Sequence, residues 1–178
     1  MNYSLFQDMQ RLHGNAFADA VMEFCAQYLL IGVFAVLGLL LLARLRSDGL
    51  RRAVRDALWP AGALVLSYAL GLAAAAVHPE ARPFTTHPSV HPLIAHHSGQ
   101  AFPSDHSTAA FAIALVVLAF LSRRWGAVLL VAAVLIGFSR VYVGVHYPGD
   151  ILGSVLVSLS GVGLTAALRS RSSRGFSR

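Results

Sequence analysis

The stretch Ser139-Arg140-Val141-Tyr142-Val143-Gly144-Val145-His146-Tyr147-Pro148-Gly149-Asp150 decides how the chain is read. It closes an apolar run with a serine and an arginine, breaks at Tyr147-Pro148-Gly149, and sets an aspartate four residues after a histidine, where the next apolar run begins. Proline followed by glycine marks a turn between two helices. Ionisable side chains at the edge of lipid-soluble segments are expensive, so they pair with one another or mark a functional site.

Working outward from this stretch, the chain divides into five apolar runs. Residues 24–43 and 57–77 carry no charge. The runs at about 105–122 and 125–145 reach the roughly 20 residues that a span needs only if polar groups at one end are counted in. Those groups are Asp105 and His106 in one run, Ser139 and Arg140 in the other, and the fifth run covers about 151–168. With 56% hydrophobic and 12% charged residues and a mean hydropathy of +0.63, the composition is that of a membrane protein. The expected fold is an all-α integral membrane protein of about five transmembrane helices. An N-terminal interfacial helix precedes them, since Leu5, Met9, Leu12, Ala16, Phe17, Ala20 and Val21 recur at helical spacing with an interruption at Gly14-Asn15. The expected organisation is an interfacial lead-in over 1–23 with no chemistry of its own, one transmembrane catalytic domain over 24–168 and a basic tail over 169–178. Asp8, Arg11, Asp19 and Glu23 are spread through the N-terminus, which argues against a cleaved signal peptide.

The basic residues give the orientation. All fourteen are arginine. Arg44, Arg46, Arg51, Arg52 and Arg55 lie between the first two spans, Arg123 and Arg124 between the third and fourth, and Arg169, Arg171, Arg174 and Arg178 after the fifth. The positive-inside rule places these loops and the C-terminus in the cytoplasm. Only Arg11, Arg82 and Arg140 remain for the other face, which holds the N-terminus and the 78–104 and 141–150 loops. Explained in this way, the basic charge does not point to nucleic acid, and no recognisable binding module accompanies it. Cys25 is the one cysteine, so no disulfide can form within the chain, and it is expected to pack as a small apolar side chain.

Three clusters fall on the external face: Arg82-Pro83-Phe84, Pro103-Ser104-Asp105-His106 and the opening stretch. Two arginines and the free N–H groups of a helix start, with Ser104 as its cap, suit a phosphate. Asp150 can hold one ring nitrogen of His146 as N–H and leave the other as a nucleophile. His106 can protonate the leaving oxygen. Arg82, Arg140 and Ser104 would hold the transferring phosphoryl group, with His78, Asp105 and Ser139 as accessory candidates. Tyr142 and Tyr147 are expected to be interface anchors. The loop histidines His78, His87, His91, His96 and His97 leave a second reading open, since His87-x3-His91-x4-His96-His97 offers several imidazoles to a metal. A third class, a non-catalytic scaffold or transporter, gives no reason for three polar clusters to share a face.

Ser139-Arg140, His146 and Asp150, with Arg82-Pro83 and Pro103-Ser104-x-His106 upstream, resemble the three-part signature of the type 2 phosphatidic acid phosphatase (PAP2) superfamily, which includes vanadium haloperoxidases. The Arg-Pro-Phe and Pro-Ser-Asp-His forms resemble its bacitracin-resistance type of undecaprenyl pyrophosphate phosphatase. The resemblance implies a helical bundle of that family, no cofactor, and no metal. It implies His146 as nucleophile, Asp150 as its partner, His106 as general acid, and Arg82, Ser104 and Arg140 as phosphate ligands. It further implies hydrolysis of a polyprenyl or other lipid phosphate at the outer face of a bacterial cell membrane, with a part in bacitracin resistance. Phosphatidic acid, phosphatidylglycerol phosphate or transfer to another lipid is the alternative within the family. Two positions depart from the pattern. The lysine that often stands seven residues before the arginine is Ala75, for which His78 or another loop histidine is the candidate substitute. The usual glycine before the second-motif histidine is Asp105, expected to point away, support the helix start or orient an arginine.

Overall fold

The structure is a computed structural model that describes residues 2–95 and 97–175. Eight α-helices follow one another along the described chain: α1 (Asn2–Gln10), α2 (Ala16–Gln27), α3 (Leu29–Asp48), α4 (Leu50–Val77), α5 (Pro83–Thr86), α6 (Asp105–Val116), α7 (Arg123–Tyr142) and α8 (Pro148–Gly175). No strand occurs among the described residues, and the nearest approach to one is an isolated antiparallel bridge between Ala81 and Gln100. The chain is an all-helical, multi-pass membrane protein, as its hydropathy requires.

Four helices are long and apolar enough to cross a membrane: α3, α4, α7 and α8 up to Ser172. The third expected span is the short one. α6 is prolonged by a π-helical segment, Val117–Leu121, and the two together run from Asp105 to Leu121. α6 needs no lipid-facing length of its own, because it packs against α4, α7 and α8 and buries most of its residues, from Ser107 to Val116. The first span also begins later than the uncharged run suggested. α2 continues to Gln27, through the expected boundary at residue 23, and the chain re-enters a helix at Leu29 after Tyr28. Asn15 caps α2 by accepting from Phe17 N and Ala18 N, each at 3.1 Å, which explains the interruption seen at Gly14-Asn15.

Polar side chains join the helices where lipid offers no partner. Ser154 Oγ donates to the Ser104 carbonyl at 3.0 Å, and Ser158 Oγ to that of Thr108 at 3.2 Å, locking α8 onto α6. α4 and α8 meet at Gly161, where an added Cβ would lie 2.6 Å from the backbone nitrogen of Ser67. Three of the arginine clusters converge on one end of this bundle. Arg44 Nη2 donates to the Leu121 carbonyl at 3.1 Å, and the Arg169 guanidinium sits 5.4 Å from the centre of the Phe120 ring. Arg178 and the side chain of Arg174 lie outside the described residues.

At the opposite end, α1 does more than lead in. Phe6 is fully buried against Val141 and Tyr147, and Gln10 Nε2 donates to the carbonyls of Val141 and Tyr142, both at 3.0 Å. Tyr142 is buried, its hydroxyl donating to Asp19 Oδ1 at 2.7 Å, and Tyr147 OH pairs with Thr86 Oγ1 at 2.9 Å. Both tyrosines are therefore interior residues and not interface anchors, because α1, α2 and the long loop cover them. That loop is ordered by the same surface, with Leu93 N donating to the Val143 carbonyl at 3.0 Å and Ile94 buried beside Val143 and Val145.

The close α4–α8 crossing generates a prediction. Gly161→Leu forces the two helices apart and is expected to destabilise the protein by about 1–3 kcal/mol, the usual range for overpacking. Gly163→Ala, with nothing within 4 Å of the new methyl, is the matched control and should leave thermal unfolding in detergent unchanged.

Candidate functional site

The site is assembled at the junction of α7 and α8. Gly144, with φ at 86°, turns the chain back after α7, a conformation that a side chain would strain. His146 then arrives in the interior with 1% of its surface exposed. Pro148 opens α8, which fits proline at a helix start, and Asp150 in the first turn faces back toward His146. Asp150 Oδ2 receives two bonds, from His146 Nδ1 at 3.1 Å and from the Tyr147 backbone N–H at 2.8 Å. Asp150 is fully buried, and its Oδ1 has no hydrogen-bond partner among the described residues.

Arg82 completes the arrangement from the other side. It caps α5, and its Nη1 lies 3.1 Å from His146 Nε2 and 3.2 Å from the Val145 carbonyl. A guanidinium only donates, so Nε2 must be the accepting nitrogen and Nδ1 the one that carries the proton to Asp150. The tautomer is fixed by the neighbours: a lone pair on Nε2, aimed toward a cation. Arg82 Nε has no partner among the described residues, which leaves one buried donor for an anion. Burial lowers the Arg82 pKa from its ordinary value, and the charges of Asp105 and Asp150 act against that. It remains a cation, given how far guanidinium basicity lies above neutrality.

The other expected residues divide into those that gather here and those that do not. Arg140 is 2% exposed, donates from Nη1 to the Ala26 carbonyl at 3.2 Å and lies within electrostatic range of Arg82. Ser104 is fully buried and caps α6 by accepting from Ser107 N. Its backbone N–H donates to the Asp150 carbonyl at 3.3 Å, which ties the start of α6 to the start of α8. As an acceptor in that cap, the Ser104 hydroxyl keeps its own proton to donate. Asp105 is exposed in the first turn of α6, where the helix dipole favours a carboxylate, and its charge reaches both Arg82 and Arg140. His106 lines a cavity together with Arg82 and Asp105.

Ser139 and His78 have partners of their own. Ser139 Oγ donates to the Ile136 carbonyl of its own helix at 2.8 Å, so this hydroxyl serves α7. His78 faces Glu80, 3.7 Å from its carboxylate, and is within electrostatic range of Asp150. Ala75 lines the cavity beside Gly71 and Leu72, and His97 lines it as well as His106. The remaining loop histidines are dispersed. His87 stacks on Tyr3 at 3.9 Å, His91 borders a separate hollow near Arg11 and His13, and His96 lies outside the described residues. Among the described residues no three of His, Cys, Asp and Glu converge to hold a metal ion. Sequence reasoning missed Glu80 and Asn2, whose side chains meet beside Asp150. No motif spacing signals them.

The cavity of about 790 Å³ runs from these polar groups into the apolar interior between α3, α4 and α6, past Tyr68, Leu64, Phe34 and Ile113. A charged mouth on an apolar groove suits an amphiphile whose anionic head meets arginine while its tail stays in hydrocarbon. The arrangement can hold a phosphate against a buried imidazole whose Nε2 lone pair faces the Arg82 guanidinium.

The chain resembles known proteins in sequence and in fold. The chain is 36% identical over 160 residues to undecaprenyl-diphosphatase BcrC of Bacillus subtilis, covering 89% of this chain and 79% of that protein. Its fold is similar to the crystal structure of Aquifex aeolicus LpxE, with a TM-score of 0.72 and 26% identity over 92% of this chain and 93% of that one. It also matches the PAP2-type phosphatidylglycerolphosphate phosphatase of Bacillus subtilis in fold, with a TM-score of 0.54 and 20% identity over 95% of this chain and 94% of that one. Residues 56–174, which contain Arg82, Arg140, His146 and Asp150, match the PAP2 superfamily, and with the identity to BcrC over most of its length the chain belongs to that superfamily.

Proposed function

We propose that the protein hydrolyses undecaprenyl diphosphate to undecaprenyl phosphate and inorganic phosphate, on the external face of a bacterial cell membrane. The observation that carries this reading is the His146 tautomer enforced by Asp150 on Nδ1 and Arg82 on Nε2, set beside the mouth of an apolar groove. The similarity to BcrC over most of the chain favours a polyprenyl diphosphate over a glycerol phosphomonoester. The arginine clusters, gathered at the end of the bundle away from His146, support the external placement under the positive-inside rule.

In this mechanism the terminal phosphoryl group lies against Arg82, Arg140 and the Ser104 hydroxyl. His146 Nε2 attacks phosphorus and the bridging P–O bond breaks. His106 gives its proton to the departing oxygen, releasing undecaprenyl phosphate. A water molecule then gives a proton to His106, attacks the phosphohistidine and frees inorganic phosphate, restoring both histidines. The arginines meet the charge as it spreads over the equatorial oxygens. No step uses a metal. Ala75 leaves the groove apolar where other family members often carry a lysine, and Asp105 holds the two arginines by its charge.

Four experiments test the reading. Purified protein supplied in parallel with undecaprenyl diphosphate, phosphatidic acid and phosphatidylglycerol phosphate is expected to release phosphate fastest from the first; a preference for either glycerol lipid overturns the substrate assignment. The rate is expected to persist in EDTA, and recovery by zinc after EDTA inactivation would return the loop histidines to consideration. His146→Ala should abolish turnover, and His106→Ala should lower it by about 10²–10⁴-fold. Since His146 must be neutral and His106 protonated, kcat/KM should be bell-shaped, its acid limb reporting His146 and its alkaline limb His106. A rate that is flat from about pH 5 to 9 contradicts the pair of roles.

A further inference from the structure

Glu80 is a half-buried carboxyl that the mechanism above does not use. Its backbone is fixed, with the carbonyl accepting from Ala101 N at 2.7 Å next to the Ala81–Gln100 bridge. Its side chain is held by α1: Asn2 Nδ2 is 3.5 Å from Glu80 Oε1, while Asn2 Oδ1 accepts from Gly149 N at 2.9 Å. One asparagine therefore links Glu80 to the turn that presents Asp150. An added Cβ at Gly149 would come 2.9 Å from Asn2 Nδ2, so a side chain here would displace that of Asn2.

The two carboxyl groups act on each other. The Glu80 pKa is raised, first by burial and next by the charge of Asp150, and lowered less by His78 and Asn2. The titratable groups around Glu80 are His78 on its own segment, 3.7 Å away, and Asp150 from α8. Tyr147, ahead of α8, feels the Glu80 charge in turn. Asp150 has one oxygen engaged by His146 and Tyr147 and a second, Oδ1, with no hydrogen-bond partner among the described residues. A protonated Glu80 is the donor within reach of that carboxylate.

We propose that Glu80, held in place by Asn2, is a positioning residue that acts through Asp150 and sets the amount of negative charge behind the His146 nucleophile. The inference rests on the phosphatase reading. With Glu80 protonated, one carboxylate backs the imidazole and receives a second hydrogen bond that fixes its orientation. With Glu80 ionised, two negative charges favour the imidazolium, and His146 gives up its proton only at higher pH. The acid limb of the pH profile is thus held above the position that Asp150 alone would give.

The experiment compares pH profiles of kcat/KM for the full-length protein and its Glu80→Gln, Glu80→Asp and Asn2→Ala variants on undecaprenyl diphosphate, with thermal unfolding of each. Glu80→Gln keeps a neutral donor and removes the charge, so its acid limb is expected to move to lower pH by roughly half a unit or more. Asn2→Ala frees the carboxyl from the Gly149 turn and should move the limb in the same direction by less. Glu80→Asp keeps the charge and should leave the limb near the wild-type position with a lower kcat. Acid limbs that superimpose on the wild type in both Glu80→Gln and Asn2→Ala, or a uniform loss of rate at every pH, overturn the proposal. A wild-type protein without phosphatase activity would instead overturn the reading on which it rests.

Discussion

Everything at this end of the molecule depends on an imidazole held between a carboxylate and a guanidinium, away from water. His146 has Asp150 on Nδ1 and Arg82 on Nε2, both at 3.1 Å, and all three are buried. Isolated, any of these charges would be prohibitive in such surroundings; removing one member of a buried, hydrogen-bonded set leaves the others unpaired, at a penalty of several kcal/mol. The cluster therefore needs an enclosing scaffold that also leaves an approach for an anion. The structure supplies both, with the α6 start tied to the α8 start through Ser104 and Asp150, and an apolar groove reaching the arginine from the bilayer side.

The enclosure comes largely from segments outside the long helices. α1 covers Tyr147 with Phe6 and binds the end of α7 through Gln10, and the loop from His78 to Gln100 closes over the same turn by way of Leu93 and Ile94. The long helices are in turn held by hydroxyl groups reaching the backbone of a neighbour and by the small residues that permit close approach. Rigid helix ends deliver Arg140, His106 and Asp150, and the irregular segments bring Arg82 to them. This division lets a membrane bundle place irregular backbone outside the hydrocarbon region, where its polar groups can be satisfied.

Much of this was legible in the residues themselves. Uncharged runs announce helices, and arginine clusters announce a common end, because both follow from the solvent that each segment meets. The spacing of His146 and Asp150 lets the carboxylate hold one ring nitrogen, and Asp150 Oδ2 lies 3.1 Å from His146 Nδ1. Other features carry no periodic signature. The pattern of α1 is the same for a helix on a membrane surface and for one packed on protein, so its grip on the turn before α8 was hidden. Tyr142 and Tyr147 look like interface residues until the segments that cover them are in place. Ser139 sits beside Arg140 in sequence, yet its hydroxyl turns to the Ile136 carbonyl, a rotamer choice that spacing does not reveal. Glu80 became visible only when the loop was folded against Asp150, and the burial of α6 by neighbouring helices does not show in its uniformly apolar run.

The central claim is that His146 Nε2 becomes bonded to phosphorus. Rapid quenching of the protein with undecaprenyl diphosphate labelled at its terminal phosphate tests this most directly, followed by peptide mapping. The account predicts a label on His146 that is labile in acid, stable in alkali and lost on the timescale of turnover. An acid-stable label on another residue would contradict it, as would single-turnover hydrolysis that places oxygen from water directly on the released phosphate with no labelled protein formed.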